Sequence, residues 1–156
     1  MKKKEIYWIV GTLVLVLILT LAIFGMDGLK SDSTWDINIH DTYFVIANFH
    51  LIPLIFVFTF FVVYLIRTTR RNFKNITSNL ILMIVTILFV LVLGKLIAML
   101  DFFGGPNNNQ NVPLDKSPVE NAIGILSKVM FVLQIGLLIL LSYCGFKTGR
   151  NYNGKK

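Results

Sequence analysis

Charged side chains are scarce in this sequence. Only 15% of its 156 residues are Asp, Glu, Lys or Arg, whereas 55% are hydrophobic, and the mean hydropathy is +0.72. That composition reads as a polytopic membrane protein before any segment is inspected. Cysteine occurs once, at Cys144, which excludes an internal disulfide. No Cys-x-x-Cys-His is present, so covalent attachment of a c-type haem is excluded as well. Near the end of an apolar run, the lone thiol reads as a small buried apolar residue. Histidine occurs only twice, at His40 and His50, and no internal repeat is evident. Acids number 8 against 15 bases, for a net charge of +7. In a soluble chain that excess would suggest nucleic acid. Here the bases sit between and beyond apolar runs, where they report topology, and nucleic acid is excluded as a partner.

Four runs are long enough to cross a hydrocarbon layer of about 30 Å at about 1.5 Å per residue. They cover residues 6–26, 43–66, 79–100 and 118–146. The predicted fold is all-α: one membrane domain over 1–156, with four transmembrane helices bundled in the lipid bilayer. Lys2, Lys3 and Lys4 before the first run also describe a signal peptide. The run of 21 residues is too long for that, and Ile23-Phe24-Gly25-Met26 offers no Ala-x-Ala, so a retained helix is expected. Pro53 lacks an amide hydrogen and crowds the carbonyl of Phe49, which predicts a kink in the second helix. Thr77 reads as the cap of the third helix. Ser117, Pro118 and Glu120 read as cap, first-turn proline and capping box of the fourth. Residues 101–121, with Gly104, Gly105, Pro106 and an asparagine run, read as a mobile loop.

Lysine and arginine counts set the orientation. With the N-terminus, the connection 67–74 and the C-terminal tail on one side, that side holds 11 basic residues, against only Lys30 and Lys116 on the other. Both termini are therefore expected in the cytoplasm of a cell bounded by its plasma (bacterial cytoplasmic) membrane.

The stretch from Trp35 to Pro53 holds both histidines and leads into the second apolar run. On a helix advancing about 100° per residue, Asp41 and Asn48 share one face and Tyr43, Ala47 and His50 share another. Polar groups inside a membrane are costly and are read as functional by default. His50 and Asn48 either bond to neighbouring helices, or His50 ligates a haem, or they serve another ligand or a proton. The order His40-Asp41-Thr42-Tyr43-Phe44-Val45-Ile46-Ala47-Asn48-Phe49-His50 resembles the tenth transmembrane helix of haem-copper oxidase subunit I. That family's pattern reads His-Asp-Thr-Tyr-x-Val-x-Ala-His-x-His. The resemblance implies a magnesium or manganese site at His40 and Asp41 and axial haem ligation by His50. Asn48 stands where the family has the histidine of the oxygen-binding haem, and an amide is a poor iron ligand. The family's copper-binding histidines and its His-Pro-Glu-x-Tyr segment are missing too. Oxygen reduction by this chain alone is not expected, and neither is enzymatic activity.

Lys95 lies about 9 Å below the outer end of the third helix, and Lys128 is expected about 12–15 Å inside the fourth. Together with His50 they are predicted to form one layer in the outer leaflet. The lysines either snorkel to the interface or face inward onto an acidic group. Asp41, Asp101, Glu120, haem propionates and an anionic lipid headgroup are the candidates. A second haem ligand would come from Met83, Met99, Met130, a lysine, a partner subunit or His50 of a second copy in a homodimer. Gln134, deeper still, is expected to bond between helices. The resulting expectation is a small membrane protein binding haem or a divalent metal through His50, Lys95, Lys128, His40 and Asp41. The alternative is a structural or accessory subunit of a larger, respiratory-type membrane complex, without a cofactor.

Overall fold

A computed structural model of the chain describes residues 3–26, 30, 33–39, 42–103 and 118–153. Its elements in order are α1 (Lys3–Phe24), β1 (Thr34–Ile39), β2 (Thr42–Ala47), α2 (Asn48–Arg70), α3 (Ile76–Phe103) and α4 (Pro118–Asn153). All four helices are long and apolar enough to cross a membrane. The all-α membrane architecture read from the sequence therefore holds, with one small hairpin added. Each helix packs against the next in the chain, α1 on α2, α2 on α3 and α3 on α4.

The hairpin corrects the start of the second helix. Residues 42–47 are extended and pair antiparallel with 34–39, Thr34 opposite Ala47 and Ile39 opposite Thr42. Trp35, Ile37 and Ile39 alternate with Asp36 and Asn38, and the return strand is rich in aromatic and β-branched residues, which suit a pleated ribbon. Helix α2 begins at Asn48, not at Tyr43, and continues through Pro53 to Arg70. The faces predicted for a helix over 41–50 therefore do not form.

Asn48 joins hairpin to helix. Its backbone N–H donates to the Ser33 carbonyl at 3.1 Å and its Nδ2 to Ser33 Oγ at 2.7 Å. At the other end of this connection, α1 stops where Gly25 takes a φ of +66° and its N–H donates to the Leu21 carbonyl at 2.9 Å. Only glycine enters that left-handed region at no steric cost. Helix α3 starts at Ile76, so Thr77 lies inside its first turn and is not its cap.

The apolar core fills the half of the helices nearer the α2–α3 turn. Val57, Phe61 and Tyr64 of α2 meet Leu82, Phe89 and Leu93 of α3, and Leu137 and Cys144 close it from α4. Cys144 is buried, as its sequence context suggested. Threonines within the spans are satisfied locally: Thr12, Thr20, Thr86 and Thr148 each donate to the carbonyl four residues earlier. Among the described residues no side chain is buried in α3 beyond Leu93 or in α4 before Leu137.

Candidate functional site

Among the described residues, the densest polar cluster lies at the α2–α3 turn, away from the hairpin. Glu5, in the first turn of α1, accepts from Arg67 Nη2 of α2 at 2.6 Å, and the two side chains are 2% and 4% exposed. Asn75 Nδ2 donates to the same carboxylate oxygen at 2.6 Å, and Arg71 Nη1 stands 3.9 Å away. The Arg67 guanidinium lies 4.8 Å from the centre of the Trp8 ring and 5.8 Å from that of Tyr64. Such cation–ring contacts strengthen when water is excluded.

The ion pair is made through one oxygen and one nitrogen. Glu5 Oε2, Arg67 Nε and Nη1, and the Tyr64 hydroxyl are buried with no hydrogen-bond partner among the described residues. A bidentate fork would use Oε2 and Nε as its second bond. With that bond unmade, the pair carries uncompensated desolvation, and its worth depends on staying intact rather than on net attraction.

A second polar layer ties α4 to the same end. Thr68 Oγ1 and Ser78 Oγ share a hydrogen bond of 3.1 Å between α2 and α3. Asn79 Nδ2 donates to the Phe73 carbonyl at 2.8 Å and to Thr148 Oγ1 at 3.1 Å. Asn151 Nδ2 donates to the same Phe73 carbonyl at 2.8 Å, and the Phe73 ring packs edge-on against Tyr143 at 5.4 Å. All four helices thus meet through polar bonds at one end. Sequence reasoning passed over this cluster. The signal for it was Glu5, the one acid on the side that carries 11 bases.

Among the described residues, those singled out for the opposite end do not form a comparable site. His40 and Asp41 lie outside the described residues. His50 is the third residue of α2 and is exposed. Lys95 and Lys128 are exposed too, and neither has an ion-pair partner among the described residues. Lys95 sits about 200° around α3 from the buried Leu93. It continues an outward stripe of Leu80, Ile84, Leu88 and Leu91. Lys128 likewise lies on the outer surface of α4 with Ile125, Val132 and Ile139, half a turn from the buried Leu137. Of the two arrangements expected for the lysines, the described surfaces match the outward-facing one.

The depth of Lys128 is corrected as well. Ser127 Oγ donates to Asp101 Oδ1 at 2.7 Å, which sets Lys128 level with the end of the α3 span. His50 and Lys95 do share a level, below that of Lys128. Phe58 packs against Phe89, and eight residues, about 12 Å, separate each from His50 and Ile97 respectively. They share a level without sharing a site. Gln134 does bond between helices, donating to the Val90 carbonyl at 3.2 Å. Among the described residues, no group of three or more His, Cys, Asp or Glu is placed to hold a metal ion.

No family model matches the chain, and no curated protein or solved structure matches it either. The oxidase likeness accordingly rests on residues 40–50 alone.

Proposed function

We propose that the protein is a non-enzymatic accessory subunit of a larger membrane assembly, held in the plasma (bacterial cytoplasmic) membrane with both termini in the cytoplasm. One observation carries this reading. Lys95 continues an otherwise apolar, outward-facing stripe, six residues inside the end of a helix long enough to span the bilayer. A lysine facing lipid on an isolated helix is costly, and intramembrane charges pair with other groups. Since this chain supplies no acid at that surface among its described residues, the partner is assigned to another polypeptide. The excess of 11 basic residues at the N-terminus, the 67–74 connection and the tail supports the orientation.

The test is zero-length cross-linking in native membranes with a membrane-permeant carbodiimide, which joins an amine to a carboxylate in contact with it. The expected product links the Lys95 peptide to a carboxylate-bearing transmembrane peptide of another protein. Lys95→Leu should abolish that product and shrink the assembly on native electrophoresis. If Lys95→Leu leaves assembly size unchanged and no such product forms, Lys95 snorkels and the reading fails.

A further inference from the structure

The cationic end of the molecule holds more positive charge than its own acids can balance. Seven of the 8 acids lie between α1 and α2 or between Asp101 and the first turn of α4; Glu5 alone lies at the opposite end, with 11 bases. Glu5 is already occupied. Its Oε1 takes Arg67 and Asn75, both at 2.6 Å, and leaves Arg71 at 3.9 Å. Among the described residues Arg70, Lys74 and Arg150 have no acidic partner, and all three are exposed.

These cations stand on a fixed platform rather than a loose loop. Asn72 and Phe73 both take left-handed backbone conformations, with φ of 47° and 60°. For a bulky residue such as Phe73 that conformation is strained and persists only where its surroundings over-determine it. Here two asparagine side chains hold the Phe73 carbonyl, one from α3 and one from α4. Tyr143 holds the Phe73 ring, and Lys147 Nζ lies 5.8 Å from the centre of that same tyrosine ring. The chain of contacts runs from Phe73 in the turn through Tyr143 to Lys147 of α4. The platform also sits where the spans end, α2 at Arg70 and α3 from Ile76, which is headgroup depth.

We infer that the α2–α3 turn and the adjoining end of α4 bind the phosphate of an anionic phospholipid headgroup, through Arg70, Arg71, Lys74 and Lys147. Charge alone draws any basic segment to an anionic leaflet. What distinguishes a built site is dependence on the clamp that fixes the turn.

The experiment uses the full chain in neutral detergent, with phosphatidylglycerol, phosphatidylcholine or inorganic phosphate added. Retained lipid is counted by native mass spectrometry and thermal stability is followed in parallel. Phosphatidylglycerol should be retained at least tenfold more tightly than phosphatidylcholine. Arg71→Gln with Lys74→Gln should weaken it by about fivefold per residue, from about 1 kcal/mol each. Asn151→Ala keeps every charge but removes one of the two bonds on Phe73, and it should also weaken retention. Equal retention of the two lipids, or no loss in the double variant, overturns the site. Unchanged retention in Asn151→Ala shows that diffuse surface charge suffices and overturns the platform. Equal stabilisation by inorganic phosphate alone overturns the assignment to lipid. Each variant is first compared with the parent in phosphatidylcholine, so that a folding defect is read separately.

Discussion

Removing either partner of the Glu5–Arg67 pair should unfold the protein far more readily than removing both. The two side chains are 2% and 4% exposed, so the loss of one leaves a charge that water cannot reach. Breaking a buried pair in this way costs about 3–5 kcal/mol, whereas replacing both members by apolar side chains is often neutral or stabilising. The structure also ranks the single variants. Arg67→Met leaves Glu5 with its Asn75 bond and with Arg71, half-exposed and only 3.9 Å away, free to swing in. Glu5→Leu leaves the Arg67 guanidinium without its carboxylate, and Nε and Nη1 already have no acceptor among the described residues. Glu5→Leu should therefore fall near the upper end of the range and Arg67→Met near the lower. Glu5→Leu with Arg67→Met should return to within about 1 kcal/mol of the parent. Denaturant unfolding in detergent, followed by the fluorescence of Trp8 against the guanidinium, gives the three values and the coupling between them. Two singles that each cost less than about 1 kcal/mol, or that add without coupling, would show a hydrated pair and refute the argument.

Two further outcomes are expected. Asn48→Ala removes a 2.7 Å side-chain bond to Ser33 at a buried position and should cost about 1–2 kcal/mol, with amide protection lost first across Thr34–Ile39 and Thr42–Ala47. In a Cys144→Ala background, a cysteine at Asn38 should react with an impermeant thiol reagent added outside intact cells, and one at Asn72 should not; the reverse pattern overturns the orientation.

The helices were legible because an apolar run longer than the bilayer is thick has few other uses. Tyr43 to Ala47 was misassigned for a physical reason. A strand of aromatic and β-branched residues abutting an apolar helix makes one uninterrupted hydrophobic run, and length alone extends the helix backward. The alternation of Trp35, Ile37 and Ile39 with Asp36 and Asn38 was the available correction, since its period of two does not suit a helix. Lys95 was placed at the level of His50 and Lys128 too deep, and neither could be given a direction, which depends on which face each helix buries. Only the packing of Leu93 and Leu137 decides that. The Glu5–Arg67 pair lay further out of reach, because nothing local to either residue announces a partner 62 positions away.

That separation has a consequence for how the protein is made. Glu5 leaves the ribosome first, and Arg67 follows 62 residues later. At about 5–20 residues per second the delay is roughly 3–12 s. Throughout it the first helix carries an acid with no counterion from its own chain except the neighbouring lysines. Being in the first turn, Glu5 can wait at the water boundary while the apolar remainder inserts. Its burial is then completed by the arrival of α2, so the first helix gains its final seat only when the second is delivered to it.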